Sequence, residues 1–391
     1  MAISCDVLVV GAGPAGSSAA RAAAMSGAKT IFIDKKGEVG IPVQCAEGIG
    51  KYLFPYLPFK IPKNQLKWRI DGMLFWIDGV TIERKGEFWE GYTIDREEFD
   101  KWLAKRAVDV GAELWIDCEL IGVELDNKGD ITKAIVRRSD TEVGIETKVV
   151  IGADGTESTV LKLLGLFNPS EGDIGEIYSW EMKGLNNTNP CIEQIFVGNF
   201  TPGGYAYIFP KSRSTANVGV GGLLPKKNME KYFDEFLEVP YVKKQIENAE
   251  FVVEKSKSSI WSDIVDKWVH NNVILAGDAA NHSLKPFVEG VLPAIICGNL
   301  AGDLATRYSH LGEGTASMYV KHIENISQLD YHKSKMYMEV VKNLFKSEIP
   351  SKHLLFGGIL ADLFELERIE LLQEMDYEHL LSTLLELKDG M

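Results

Sequence analysis

The chain has 391 residues, which suits two or three domains rather than one. Hydrophobic residues make up 45% and charged residues 25%, the composition of a soluble globule. The net charge of −14, from 56 acids against 42 bases, excludes the basic surface needed to grip nucleic acid or anionic lipid. There is no run of 18 apolar residues, so no transmembrane helix is expected. The apolar N-terminal stretch lacks a basic leader, so no signal peptide is expected either, and the protein is read as cytoplasmic. Cys5, Cys45, Cys118, Cys191 and Cys297 are scattered without a CxxC pair, which predicts reduced thiols and no structural metal.

The first element is a buried strand, Cys5-Asp6-Val7-Leu8-Val9-Val10, which runs straight into Gly11-Ala12-Gly13-Pro14-Ala15-Gly16. A helix rich in Ala and Ser follows over residues 17–26. A second apolar strand, Thr30-Ile31-Phe32-Ile33, ends on Asp34. Strand, glycine turn, helix, strand and acid in this order make a dinucleotide-binding unit. Gly11 permits the tight turn, Gly13 lets backbone approach a pyrophosphate, and Gly16 lets helix and strand pack closely. The helix N-terminus, at Ala15 and its neighbours, offers free N–H groups to phosphates. Asp34 accepts from a ribose diol. This unit alone leaves open which dinucleotide is bound.

A glycine-studded loop, 35–48, comes next. Residues 52–92 alternate around Trp68, Phe75, Trp76 and Trp89 and read as strands. A helix through residue 110 opens at Asp95 as N-cap, with Phe99, Leu103 and Ala107 on one face. Short strands are expected over 113–150, with a turn at 126–130. A buried strand then enters Gly152-Ala153-Asp154-Gly155. Residues 175–260 alternate again, with one helix near 226–248. The strand 272–276 runs into Gly277-Asp278-Ala279-Ala280, and a helix covers 291–308. The remainder reads as helical, with an apolar face at Leu354, Ile359, Leu360, Leu363, Phe364, Leu366, Ile369, Leu371 and Leu372. Core packing of terminal helices is the expected role of that face; covering a lipid tunnel or touching a membrane is the other.

The fold class is therefore α/β. A discontinuous Rossmann-type domain (1–60, 93–165 and 261–308) is interrupted by a β-rich substrate domain (61–92 and 166–260), and a helical region (309–391) follows. An insertion beside the cofactor domain favours a cleft between the two.

Three motifs now stand in order: Gly11 to Asp34, Gly152 to Gly155, and Gly277 to Ala280. The triple resembles the flavoprotein group typified by para-hydroxybenzoate hydroxylase, which implies FAD as cofactor. On that resemblance Asp154 is the middle-motif acid, Asp278 the ribityl ligand, and Arg96 an arginine that reaches FAD and serves its ADP half. Leu120 joins the cofactor contacts. Within the group, two segments resemble the geranylgeranyl reductases: Gly40-Ile41-Pro42-Val43-Gln44-Cys45-Ala46-Glu47-Gly48, and Pro202-Gly203-Gly204-Tyr205-Ala206-Tyr207-Ile208-Phe209-Pro210. The family implies an FAD-dependent reductase that saturates C=C bonds of geranylgeranyl chains, in its archaeal branch on membrane glycerophospholipids. Cys45, Ala46, Gly48, Gly290 and Val291 are then expected at the flavin ring. The implied partners are a prenylated lipid and an electron donor (ferredoxin, nicotinamide or deazaflavin), with contact at the inner membrane face left open. One departure stands out: Pro286-Phe287-Val288-Glu289-Gly290-Val291 replaces a Pro-x-x-Gly-Gly-Gly-Ile pattern, so the turn facing the ring is expected to differ.

Tyr205, Tyr207 and Phe209 recur at period two, so they share one side of a strand. They suit a lipid-channel wall or an ordinary core face. Cys45 is the candidate catalytic thiol, as proton donor or gate, against a plain buried hydrophobe. Glu47 suits a water or flavin contact, or a solvated loop acid. His282 suits a proton relay, or a surface or capping role. The alternatives to the reductase are an aromatic hydroxylase of the same fold and a flavin-carrying protein without catalysis.

Overall fold

A computed structural model of the chain describes residues 3–170, 172–254, 258–261, 267–311, 315–347 and 349–389. Its central sheet has the order Val269–His270, Val273–Leu275, Val149–Gly152, Val7–Val10, Thr30–Ile33 and Glu113–Trp115. All pairings are parallel except at the Val269–His270 edge. Val7–Val10 is central and wholly buried, as a parallel sheet covered on both faces requires. The glycine turn leaves its carboxyl end and enters the helix Pro14–Met25. That helix packs closely on Val291–Leu311. A Cβ on Gly298 would lie 2.2 Å from the Ala15 carbonyl oxygen, and one on Gly302 would lie 2.1 Å from that of Ala19.

The residues expected to form the nucleotide sheet from 113–150 divide. Glu113–Trp115 and Val149–Gly152 join the central sheet. Cys118–Leu125, Ile131–Arg138 and Thr141–Glu146 form a separate four-stranded sheet with Ile3–Ser4. The cause is local: these segments close as antiparallel hairpins. The first turns at Asp126, whose carboxylate accepts from the Lys128 and Asp130 N–H groups.

The insertions build an eight-stranded sheet. Its main path runs Glu250–Glu254, Ile174–Lys183, Thr215–Gly222, Ala206–Pro210, Ile192–Val197, Gly72–Ile77 and Val80–Lys85, and Ser258–Trp261 also pairs with Ile174–Lys183. Ile192–Val197 and Gly72–Ile77 lie side by side, so the two insertions, far apart in sequence, share one sheet. A small three-stranded sheet (Gly48–Gly50, Gly91–Thr93, Trp68–Ile70) lies at the exit of the 35–48 loop. The stretch 52–92 is not strands throughout: Lys51–Tyr56, which contains Pro55, is a 3-10 turn. The helix expected near 226–248 is two helices, Met229–Leu237 and Pro240–Ile246. Pro240 drives Val239 out of the helical region, to ψ 124°. The helix expected through residue 110 runs Arg96–Val108, with Asp95 capping it by accepting from Glu98 N–H.

The C-terminal apolar run is core. Leu354, Leu355, Phe356, Ile359 and Leu360 pack with Phe75, Ile77 and Ile195 of the large sheet. Leu371 alone of the run is strongly exposed, at 66%. Among the described residues no helix is long and apolar enough to cross a membrane.

Candidate functional site

One cleft runs from the first glycine turn to the aromatic strand and is lined by residues of all three motifs. At its first end Gly11 has φ of 102°, and a Cβ there would lie 2.3 Å from the Ala153 carbonyl oxygen. The first and middle motifs are thus in backbone contact. Gly16 does not line the cleft; it packs behind it, where a Cβ would meet the Gly11 oxygen at 1.8 Å. Gly13 is the converse: nothing lies within 4 Å of its absent Cβ, and it faces the cleft. Pro14 occupies the first helical turn and no side chain caps it, so the helix start at Ala15, which lines the cleft, is open to an anion. Asp34 accepts from Ala12 N–H at 2.8 Å and Lys36 N–H at 2.9 Å, which fixes its carboxylate at the cleft wall. Leu120 lines the same wall.

Asp154 lines the cleft with both oxygens engaged, accepting from the Ser158 hydroxyl and Val160 N–H. It holds Ser158, the N-cap of the short helix Thr159–Leu163, and so shapes the wall. Asp278 projects into the open cleft. The surrounding protein raises its pKa, opposed by Lys285 and Arg96. Lys285 is buried, with its ammonium on Asn281 Oδ1 at 3.1 Å and Ser283 Oγ at 2.5 Å. Burial pushes its pKa down to about 8, with Asp278 pulling the other way. A turn holding a free acid, free N–H groups at a helix start, and a second acid at a strand end suit the ribityl, pyrophosphate and ribose parts of FAD respectively.

The 35–48 loop brings Cys45, Ala46 and Gly48 into the cleft. Cys45 Sγ accepts from Glu47 N–H at 3.2 Å and lies beside the Arg96 guanidinium. Arg96 is bidentate to Asp100, at 2.9 and 2.8 Å, and also acts on Asp278. Its surroundings are therefore Asp100, the thiol and the third-motif acid. Glu47 is neither a solvated acid nor a cleft contact through a free carboxylate. It is 1% exposed, at φ of 70°, and accepts from Arg96 N–H and Asn217 Nδ2, both at 2.8 Å. Lys211 completes the cluster at 2.7 Å. Glu47 ties the loop, the helix Arg96–Val108 and the large sheet together.

Tyr205, Tyr207 and Phe209 all line the cleft, with ring centroids 6.5 and 5.0 Å apart in succession. The Tyr205 hydroxyl donates to the Phe287 carbonyl at 2.5 Å, fastening the aromatic strand to the third-motif loop. Gly290 and Val291 line the cleft next to it. In that loop Val288 has φ of 59°, the left-handed region that a β-branched residue enters only under strain. This is how the departure from glycine is accommodated. His282 is no relay to the cleft. It is fully buried, its Nδ1 accepts from Gly277 N–H at 3.2 Å, and burial pushes its pKa down to about 3. It holds the third-motif turn as a neutral ring.

Beyond the expected site residues the cleft is also lined by Glu90, Asp100, Glu119, Glu193 and Glu289, and the last two act on Tyr205. Glu193 comes from Ile192–Val197, and Glu289 is the residue noted above only as a departure. The sequence signal was an acid within an otherwise apolar strand, Ile192-Glu193-Gln194-Ile195, and another at a turn of the third motif.

A model of the geranylgeranyl reductase catalytic domain matches residues 173–258, and a glucose-inhibited division protein A model matches residues 6–193. A digeranylgeranylglycerophospholipid reductase of Methanococcus aeolicus is 32% identical, over 93% of this chain and 91% of that protein. The chain belongs to the geranylgeranyl reductase family. Another reductase of the same name, from Methanocaldococcus jannaschii, is 36% identical over 79% of this chain and 78% of its own length. Among solved structures, a geranylgeranyl bacteriochlorophyll reductase-like protein of Thermoplasma acidophilum superposes with a TM-score of 0.72 at 25% identity, covering 99% of this chain and 96% of that one. A flavin-dependent brominase shares the fold, with a TM-score of 0.72 at 18% identity and coverage of 99% and 100%. The geranylgeranyl reductase domain match falls on the large sheet, which carries the aromatic wall of the cleft.

Proposed function

We propose that this family member binds FAD in the three-motif cradle and saturates C=C bonds of the geranylgeranyl chains of a digeranylgeranylglycerophospholipid. The observation that carries the reading is the continuity of the cleft, from the Asp34 carboxylate past Cys45 to the aromatic face of Tyr205, Tyr207 and Phe209. Asp34 accepts from the ribose diol, Ala15 and its neighbouring N–H groups hold the pyrophosphate, and Asp278 accepts from the ribityl chain. Arg96, set by Asp100, keeps positive charge beside Asp278 and Cys45. Cys45, Ala46, Gly48, Gly290 and Val291 form the ring end. Bound FAD, once reduced, supplies a hydride.

An isolated alkene has no carbonyl to polarise, so the protein contributes position and dryness. The aromatic wall supplies an apolar surface for a prenyl chain. Tyr205 is locked through Phe287, so the wall and the ring end move as one. The chains of the substrate lie in a bilayer, and the protein meets them at the membrane surface.

The test is mass spectrometry of lipid incubated with protein reduced by dithionite, which needs no natural donor. A gain of two hydrogens per double bond, with FAD released on denaturation, is expected. Oxygen consumption coupled to a hydroxylated product overturns the reading in favour of the hydroxylase. An unchanged lipid with FAD bound favours the non-catalytic carrier.

A further inference from the structure

Glu193 and Glu289 reach the cleft from different parts of the chain and meet across the strand Gly48–Gly50. The first and last residues of that strand fall on one face. A Cβ on Gly48 would lie 2.7 Å from Glu193 Oε1, and one on Gly50 would lie 3.2 Å from Glu289 Oε2. Each missing side chain leaves room for one carboxyl oxygen. Gly50 N–H donates to Glu289 Oε2 at 3.0 Å, while Glu289 Oε1 is buried without a partner. The groups facing Glu289 are Glu193, Tyr52 and Tyr205, none of them positive. The cations Arg96 and Lys285 act instead on Asp278.

Two buried carboxyls that repel one another disfavour double ionisation, so the pair keeps a proton near neutral pH. Burial first, and repulsion from Glu289 second, raises Glu193 to about 8. Burial raises Glu289 to about 7, against the Gly50 hydrogen bond. An acid near neutrality that lines a cleft otherwise walled by aromatics is matched to proton donation at physiological pH. The terminal carboxyl torsion is soft, so the unpartnered oxygen can turn toward the cleft.

We propose that Glu289, kept protonated by its burial beside Glu193, delivers its proton to the alkene carbon that does not receive hydride. This rests on the function proposed above. The alkene π pair forms the new C–H bond to the Glu289 proton, the carboxyl O–H bond breaks, and the carboxylate keeps that pair. Hydride at the other carbon completes the saturation, and water restores the proton through Glu193.

The test pairs kinetics with an infrared titration. Glu289→Gln keeps an acceptor for Gly50 N–H but has no acid proton. It is expected to retain FAD absorbance and lose about 100-fold or more in saturation rate. The wild-type rate falls as pH rises through about 7 to 8. Glu193→Gln moves that fall to lower pH, and Cys45→Ser leaves it in place. In flavin-free protein, a protonated carboxyl band present at about pH 5.5 disappears by about pH 9, and Glu289→Gln weakens it. A flavin-loaded Glu289→Gln protein at full rate overturns the proposal, as does loss of the pH dependence in Cys45→Ser alone. Absence of a titrating band in the wild type overturns the protonated Glu289. Wild-type protein that leaves lipid unchanged overturns the function itself, and the infrared result reads the pair separately.

Discussion

Gly13 and Gly16 lie three residues apart in one turn, and a single methyl group should affect them oppositely. At Gly16 it would press on the Gly11 carbonyl oxygen at 1.8 Å, backbone that cannot yield. Gly16→Ala is expected to cost about 3 kcal/mol or more, read as a lowered urea midpoint. Gly13 has φ of −69°, open to any residue, with no protein atom within 4 Å. Gly13→Ala should leave the midpoint within about 0.5 kcal/mol yet weaken FAD binding about tenfold, since its methyl enters the space beside the free N–H groups. Equal loss of stability in both would show that Gly13 serves the fold and not the ligand. The carboxyl pair gives a second residue-scale expectation. Glu193 and Glu289 titrate above their ordinary 4.5 in the fold, so the folded state holds their protons more tightly than the unfolded chain. Their contribution is full below about pH 4.5 and is lost as pH rises through about 7 to 8. Glu→Gln at either position should flatten that decline. At about pH 9 it should raise stability by on the order of 1–2 kcal/mol, since each pKa unit is about 1.4 kcal/mol and the open cleft screens part of it. Urea midpoints of flavin-free protein across pH would read this directly.

At the scale of elements, the reading from sequence succeeded where a signal was local. The strand Val7–Val10, its glycine turn and the acid ending Thr30–Ile33 are contiguous, and each rule that identified them acts within a few residues. The cap at Asp95 was equally local. What escaped detection depends on partners far away in sequence. Glu47 looked like a loop acid because Asn217 and Lys211, which neutralise and bind it, lie some 170 residues on. His282 looked like a surface group because Trp268 and Tyr331, which enclose it, are on other elements. Glu289 registered only as a misfit in a glycine pattern, since the strand face it meets is 239 residues earlier. Glu47 also supports a prediction about how elements are joined. Glu47→Ala removes the acceptor of Arg96 N–H and one acceptor each from Asn217 and Lys211, though Asn217 keeps the Ala46 carbonyl at 2.8 Å and Lys211 keeps Glu181 at 2.7 Å. A loss of roughly 3 kcal/mol is expected, together with faster proteolysis of the 35–48 loop and weaker FAD retention. A variant with wild-type stability and a normal cleavage pattern would show that the loop is held by its other contacts.

At the scale of the molecule, the C-terminal helices pack on the face of the large sheet that also carries the aromatic wall, since Phe75, Ile195 and Tyr207 are cross-strand neighbours. Helix Lys352–Leu360 lies so close that a Cβ on Gly357 would fall 2.5 Å from Ile77. The sheet's buried face, including Phe75, Ile77 and Ile195, has these helices as its cover, and the same sheet carries Tyr205, Tyr207 and Phe209 toward the cleft. Stability of the terminal helices and the shape of the aromatic wall should therefore change together. Leu355 is fully buried in this core, whereas Leu371, in the same apolar run, is 66% exposed. Leu355→Ala should cost about 2–5 kcal/mol by removing buried methyl groups and leaving a cavity. It should also reduce lipid saturation at temperatures where FAD stays bound, because the lost packing lies against the sheet face that carries the wall. Leu371→Gln should change stability by no more than about 0.5 kcal/mol. Thermal unfolding followed by both flavin fluorescence and tryptophan emission would separate the two regions. If Leu355→Ala lowers both transitions equally, the molecule unfolds as a single unit and the wall has no independent softness. If Leu371→Gln is silent in stability but weakens association with vesicles of the substrate lipid, that exposed leucine marks where the protein rests on the membrane.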